Sequence, residues 1–179
     1  MNSASTTGEL KPAVRPWVRF WARHFDLAIA GTINIVLFGF IYSGIIRHKF
    51  IIMEISLVIL AFMEATLLTY IGTTPGKWLL NIELRTENGE KLKFTKALLR
   101  TWLVILKGLG LEIPIVSLIT LDNAHSILTT QGITSWDNKL KLKVTHKKIG
   151  LKRIILFVTL NLALLLIFFI MFKYYKSAI

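Results

Sequence analysis

The chain has 179 residues, 54% of them apolar, and a mean hydropathy of +0.59, which is higher than most soluble globular domains reach. Its 22 Lys and Arg residues against 10 Asp and Glu residues give a net charge of +12, but the basic residues stand between long apolar runs, as they do in membrane proteins. This layout argues against a soluble enzyme and against nucleic-acid binding. The chain has no Cys and only four scattered His residues, so no metal site is predicted.

The N-terminal half begins with a polar tail and continues into two long apolar stretches. Residues 1–14 are rich in Ser and Thr and are expected to form a disordered cytoplasmic tail. Pro16 marks the first turn of a helix that runs into a predicted membrane span at about 25–46. A second span is predicted at about 50–71. Because only a very short basic loop separates the two spans, they should form an antiparallel transmembrane helical hairpin.

Two later segments alternate apolar and polar residues, which is the period of a β-strand. The first, at about 79–94, contains the turn sequence Asn88-Gly89 and predicts a β-hairpin. The second, at about 139–145, has one apolar and one basic face. We expect both segments to lie on the cytoplasmic side and to pair in a small β-sheet whose lysines approach anionic lipid headgroups.

Between these segments, residues 97–121 are apolar on average but contain charged residues, glycines and Pro114 at their centre. Basic residues are concentrated in 1–24, 72–100 and 121–153, which favours a cytoplasmic position for all three segments. A re-entrant or interfacial helix–break–helix keeps both flanks inside, whereas a third full span would place the last basic segment outside. We prefer the re-entrant interpretation and retain the third span as its alternative.

The most uniformly apolar stretch is 154–172, which predicts a C-terminal transmembrane anchor within 147–179. The expected fold is therefore a mainly α-helical membrane protein. It has a transmembrane helical hairpin, a re-entrant or interfacial helix pair, a small cytoplasmic β-sheet and a C-terminal transmembrane helix, with the N-terminus inside and the C-terminus outside. No internal repeat is apparent, which argues against a transporter built from inverted repeats of this chain.

The charged residues of the first two predicted spans form a candidate site. Arg19, Arg23 and Asp26 recur at helical spacing on one face of the first helix. Small residues follow Asp26 on that face, so its carboxylate should face protein and pair with one of the two arginines. Glu64 lies at a comparable depth in the second span, which would allow a shared cation or proton site. The alternative is a cluster that only holds the helices together.

No catalytic constellation and no cofactor motif is present, so we predict neither an enzyme nor a bound cofactor. The sequence Thr74-Pro75-Gly76-Lys77 is only superficially similar to the end of a phosphate loop, because the upstream glycine and flanking strand are missing. We interpret these four residues as a turn that leads a basic side chain out of the membrane.

Several short motifs follow one another in a fixed order: Arg19-x-x-Ala22-x-x-x-Asp26, Thr74-Pro75-Gly76-Lys77 with the strand and Asn88-Gly89 turn, Ala97-Leu98-Leu99-Arg100, and Trp136-Asp137. Over roughly 15–146, this series resembles the RDD family of bacterial membrane proteins, named for an arginine and two aspartates. The resemblance implies that Arg19 is the family arginine, Asp26 the first aspartate and Asp137 the second. It also implies that 154–172 is an anchor added outside the family domain.

Members of that family are generally suspected of transport, and cation/proton exchange is attributed to some of them. We therefore expect a multi-pass protein of the bacterial inner (cytoplasmic) membrane that transports small cations or protons. Because three spans are few for a pathway, a homo-oligomer or a partner membrane protein would complete the site. The alternative function is a non-transport scaffold or assembly partner whose basic cytoplasmic face binds lipid or protein.

Overall fold

The computed structural model describes residues 15–41, 49–108 and 114–177. The predicted tail, the loop between the first two predicted spans and the centre of the predicted break lie outside these residues. Within the described residues the chain forms seven helices and two strands: α1 (Pro16–Ile41), α2 (Lys49–Tyr70), α3 (Pro75–Leu79), β1 (Ile82–Thr86), α4 (Phe94–Lys107), α5 (Pro114–Gln131), α6 (Ser135–Lys139), β2 (Leu142–His146) and α7 (Leu151–Ser177).

Helices α1 and α2 form close to the predicted positions. α1 begins at Pro16, where the missing backbone N–H would have no helical partner in any case. α2 packs on α1 and α4 through a buried apolar cluster that includes Leu60, Ala61, Ala30 and Ile105. Small alanines at this contact allow the helix backbones to approach closely. The cluster fixes α1 and α2 as neighbours, as the predicted hairpin requires.

The β-hairpin predicted at 79–94 is wrong. Its first arm forms β1, but the chain turns at Gly89 and enters α4 at Phe94, so the second arm is not a strand. The expected pairing of the two alternating segments is confirmed, because β1 pairs antiparallel with β2, with Leu84 opposite Val144. Leu92 of the second arm is buried without strand pairing, in a core cluster that includes Ala97 of α4.

The predicted boundaries of the second strand and of the preceding turn motif also change. The strand expected at about 139–145 is β2, and Lys139 instead ends α6. The turn predicted at Thr74 to Lys77 is the beginning of α3, with Thr74 as the N-cap and Pro75 in the first turn. Proline fixes φ near the helical value, so it favours a helix start as readily as a turn.

The region 97–121 does contain a helix on each side of the predicted break, but both helices extend further. α4 begins at Phe94 and α5 continues to Gln131. α4 is amphipathic and buries Ala97, Thr101 and Val104 on one face. Its 14 residues are fewer than the roughly 20 that a full membrane crossing needs. This length fits the re-entrant interpretation, which stays a prediction.

The expectation that the chain has no internal repeat is wrong. The elements α1-α2-α3-β1 are followed by α4-α5-α6-β2, in the same order. The two turns that flank the short helix contain residues with positive φ, and these occur in matching pairs: Gly72 with Gly132, and Asn81 with Lys141. In each pair, the second residue lies 60 positions after the first. The short helices and strands follow the same spacing.

The two halves of the repeat are related by an approximate two-fold axis through the sheet. Leu84 and Val144 occupy equivalent positions and lie opposite each other in the middle of the antiparallel pair, as a two-fold axis requires. Only three of the fifteen residues from 72 to 86 are identical to their counterparts, which explains why the sequence did not reveal the repeat.

Helix α7 contains the predicted C-terminal span. Within the described residues, Leu151–Met171 is the one stretch long and apolar enough to cross a membrane by length and composition, and none of it is buried within the chain. The helix is nevertheless joined to the rest of the fold at its start. The rings of Phe157 and Phe25 lie 5.3 Å apart, and the Arg153 guanidinium donates to the side-chain oxygen of Asn81 at 2.9 Å.

Candidate functional site

Seven charged side chains meet between the two halves of the repeat: Arg19, Arg23, Asp26, Glu64, Lys77, Arg100 and Asp137. We call this set the charge network. It brings together all five residues of the predicted charge cluster and adds Lys77 from the predicted turn motif. It also adds Arg100, which sequence reasoning did not identify as a site residue.

In the first half, the network begins with the carboxylate of Asp26, which lies buried on α1. The Thr74 hydroxyl donates to Asp26 Oδ2 at 2.6 Å, and the Gly76 backbone N–H donates to Oδ1 at 2.7 Å. A Cβ added at Gly76 would lie only 2.1 Å from the carbonyl oxygen of Ala22. Glycine at position 76 therefore allows α3 to approach α1 closely enough for Asp26 to bind its N-terminal turn.

Glu64 and Lys77 join this carboxylate to the rest of the network. Lys77 Nζ lies 2.7 Å from Glu64 Oε1 and 3.9 Å from Asp26 Oδ2, so one ammonium group stands between two carboxylates. Glu64 also pairs with Arg23 and lies 3.7 Å from the Arg100 guanidinium. The arginine partner predicted for Asp26 is therefore wrong, because Lys77 reaches Asp26 from α3 while Arg23 extends towards α2.

In the second half, the fully buried carboxylate of Asp137 is at the centre. Arg100 Nε donates to its Oδ1 at 2.8 Å, and the Thr134 hydroxyl donates to its Oδ2 at 2.8 Å. Arg19 lies 3.4 Å from Oδ2 and also donates through Nε to His146 Nε2 at 3.1 Å. Arg19 thus links α1 to both α6 and β2.

The equivalent positions of the two halves have charges of opposite sign. Lys77 on α3 corresponds to Asp137 on α6, 60 residues later. Each pairs with a residue of the opposite charge on the long helix that opens its own half: Lys77 with Asp26 on α1, and Asp137 with Arg100 on α4. Thr74 and Thr134 are also equivalent, and each donates its hydroxyl hydrogen bond to the carboxylate of its half.

His146 at the end of β2 is held in its neutral form. Burial, together with the neighbouring charges of Arg19 and Arg15, lowers the pKa of His146 from 6.5 to about 4. A neutral imidazole can accept the hydrogen bond from Arg19, which an imidazolium cannot. His146 therefore orients Arg19 without adding another positive charge.

A pocket of about 520 Å³ opens beside the charge network. Its charged lining comes from both halves, through Arg19, Arg23, Glu64, Arg100 and Asp137. Most of the remaining lining is apolar and comes from α1, α4 and α5: Leu27, Val104, Leu121, Leu128 and Trp136 are examples. Among the described residues, no group of three His, Cys, Asp or Glu side chains could hold a metal ion.

The site residues that the sequence did not predict are Arg100 of the charge network and two hydrogen-bond partners of the network, Thr134 and His146. A signal for Arg100 was present, since an arginine inside an otherwise apolar stretch needs a buried partner. The signal for Thr134 was the recurrence of Gly-x-Thr at positions 72 and 132, which marks the same turn in both halves. His146 ends a strand in the sequence and gave no signal of its own.

The chain matches the family model described as RDD family over residues 13–176. The protein belongs to the RDD family. The match continues beyond the stretch 15–146 on which the resemblance was based, and it includes α7, which we expected to lie outside the family domain. No curated protein and no solved structure matches the chain. Family membership together with the apolar helix α7 indicates a membrane protein.

Proposed function

We propose that this RDD protein is a multi-pass protein of the bacterial inner membrane that exchanges a small monovalent cation for protons. α1, α2 and α7 would span the bilayer, while α4 and α5 would enter it from the cytoplasmic side and return. The N-terminus and the sheet would then face the cytoplasm, which agrees with the concentration of basic residues in those segments.

The position of Lys77 is the observation that supports cation exchange best. Its ammonium group lies between the carboxylates of Glu64 and Asp26, which belong to neighbouring helices. It therefore occupies the place where a free cation bound by both carboxylates would lie. We infer that an incoming cation displaces the Lys77 side chain, and that protons compete with this cation for the same carboxylates.

The internal repeat also supports transport. Parallel repeats related by an axis along the membrane normal are a known way to build transporters, with the binding site where the repeats meet. The charge network lies at such a junction, since Glu64 of the first half contacts Arg100 of the second. Three full spans would not enclose a pathway alone, so a second copy or a partner membrane protein would complete it.

The test is cation-dependent proton flux in proteoliposomes that contain the purified full-length protein. Asp26→Asn and Glu64→Gln should abolish flux, because each removes one carboxylate of the shared site. Glu83→Gln is the matched control, since Glu83 is an exposed carboxylate that pairs only with Lys147 in the described residues. Lys77→Gln should lower the cation concentration needed for half-maximal flux, because the competing ammonium group is absent.

Folding and incorporation of each variant are checked by size-exclusion chromatography and by the amount recovered with the vesicles. The proposal fails if wild-type vesicles show no flux above empty vesicles with Na⁺, K⁺ or Li⁺. It also fails if Asp26→Asn and Glu64→Gln transport as well as Glu83→Gln.

The second candidate is the scaffold or assembly role, and one observation favours it. Each of the three carboxylates of the network, Asp26, Glu64 and Asp137, already has a cationic partner within the chain, as in a purely structural cluster. The exposed lysines of the second half would then bind anionic lipid. Under this role, Asp26→Asn would reduce the amount of folded protein or of a co-purified partner, and no variant would alter flux.

A further inference from the structure

The pocket beside the charge network combines a charged end with apolar walls. Its volume of about 520 Å³ lies within the range of small-molecule sites, which is roughly 300–1,000 Å³. Glu64 and Asp137 are at its buried end. Trp17 and Phe20 line it too and are partly exposed, with 66% and 40% of their surface accessible. Such a pocket suits a ligand that has a polar head and an apolar body.

Arg23, which lines this pocket, uses only part of its hydrogen-bonding capacity. Its Nη1 binds Glu64, whereas Nε and Nη2 are buried and have no hydrogen-bond partner among the described residues. These two atoms form one edge of the planar guanidinium group. That edge matches the spacing of two oxygens of a carboxylate or a phosphate, which it can bind through two parallel hydrogen bonds.

The charge balance of the network points to the same ligand class. Four basic side chains, Arg19, Arg23, Lys77 and Arg100, stand against the three carboxylates of the network. The network itself thus has one positive charge more than its carboxylates balance, while the further carboxylate that lines the pocket, Asp122, is exposed to solvent. An unpaired guanidinium edge in such surroundings costs free energy, and a single anionic group bound to it would remove both the unpaired edge and the excess charge.

We propose that the pocket binds a singly charged anionic amphiphile, with its phosphate or carboxylate head on the Nε/Nη2 edge of Arg23 and its apolar chain along Leu27, Val104 and Leu128. The partly exposed Trp17 is of the residue type that lies at membrane–water interfaces. The pocket would therefore open at the level of the lipid headgroups, where an amphiphile of the adjacent leaflet could enter it. This inference goes beyond the proposed cation exchange and does not rest on it.

The experiment is a binding titration of the full-length protein in nanodiscs of phosphatidylcholine, followed by tryptophan fluorescence because Trp17 and Trp136 line the pocket. The probes are a single-chain lysophosphatidylglycerol, whose phosphodiester carries one negative charge, a fatty carboxylate and an uncharged monoacylglycerol of equal chain length, and inorganic phosphate. Saturable binding of either anionic amphiphile, at least about tenfold tighter than that of the monoacylglycerol, is expected, since about 1.4 kcal/mol corresponds to a factor of ten. The two anionic probes separate a membrane lipid from a free fatty acid as the source.

Two substitutions locate the binding. Arg23→Lys keeps a positive charge for Glu64 but removes the two-nitrogen edge, so it should weaken amphiphile binding about tenfold. Lys143→Gln removes one exposed positive charge from β2, outside the pocket lining, and should leave binding unchanged. A second measurement needs no variant: an anionic amphiphile brominated in its chain should quench wild-type fluorescence more than a brominated monoacylglycerol does.

Three results would overturn the proposal. Equal binding of the uncharged and charged amphiphiles would show that no anion site exists. Equal binding of inorganic phosphate would show that the apolar walls contribute nothing. Equal weakening by Arg23→Lys and Lys143→Gln would show general surface electrostatics in place of a defined site.

Discussion

In both halves of the repeat, a long helix and a short helix are joined by a pair of opposite charges, but the signs are reversed. In the first half an acid on the long helix α1 meets a base on the short helix α3, and in the second half a base on α4 meets an acid on α6. The backbone places Lys77 and Asp137 at equivalent points of the two short helices, but it does not prescribe the sign of their charge. Complementary charge between the long and the short helix is therefore the shared requirement, and either order satisfies it.

The halves also differ in how closely their helices approach. Gly76 in α3 lets the backbone of α1 come near, whereas its counterpart in α6 is the large side chain of Trp136. Space is made for Trp136 elsewhere, because the tip of its ring would lie 3.3 Å from a Cβ added at Gly108 after α4. Each half therefore has one glycine at this contact. Gly76 lies on the short helix α3, and Gly108 directly follows the long helix α4.

The comparison predicts the largest loss of stability at Asp137. Asp137→Asn leaves Arg100 without its buried carboxylate partner, and we expect a loss of about 3–5 kcal/mol. Lys77→Gln, at the equivalent position, should cost only about 1–2 kcal/mol, because Asp26 keeps the donors from Thr74 and Gly76. Denaturant unfolding in detergent measures both. Equal losses would contradict the difference between the halves.

A smaller effect is expected where the helices of the first half touch. Gly76→Ala would force a methyl group against the Ala22 carbonyl, and overpacking of this kind costs about 1–3 kcal/mol. Gly31→Ala is the control, since a Cβ at that position meets nothing within 4 Å, and it should be neutral or slightly stabilising. The measurement is the unfolding midpoint of each variant. A neutral Gly76→Ala would show that α1 and α3 are less closely packed than described.

The second half should be the more sensitive to pH. Since burial lowers the pKa of His146 from 6.5 to about 4, the unfolded chain binds more protons than the folded one between these values. Stability contributed by neutral His146 is therefore fully present above about pH 6.5 and falls as the pH drops towards 4. Thermal unfolding midpoints at a series of pH values should fall less steeply for His146→Gln. If the midpoints of the wild type and of His146→Gln fall equally with pH, His146 is not the cause of the pH dependence.

The smallest effect is expected at the sheet surface that joins the halves. Glu83 on β1 pairs with Lys147 at 2.6 Å, and this hydrogen bond lowers the pKa of Glu83, but both side chains are largely exposed. Exposed pairs contribute little, so Glu83→Gln should cost at most about 0.5 kcal/mol. The loss should shrink further in high salt, which screens exposed charges. A larger, salt-independent loss would place this pair within a buried contact.

Much of the local structure follows from short-range patterns. Pro16 predicts the start of α1, the apolar run at 154–172 predicts α7, and alternation predicts β1 and β2 as strands. The charge cluster was also visible, since Arg19, Arg23 and Asp26 share a helix face and need buried partners. These features depend on neighbouring residues and on the cost of burying charge, both of which can be read from the order of residues.

The sequence by itself thus determined an apolar, mainly helical chain of the RDD type with a cluster of buried charges. Which charges pair, and that the chain contains a repeat, became apparent only in the folded protein. Lys77 lies beside Asp26 only because α3 packs on α1, and Arg100 reaches Asp137 only because α4 packs on α6. Pairing of this kind depends on where distant apolar faces can be buried together, and residue periodicity along the chain does not encode that choice.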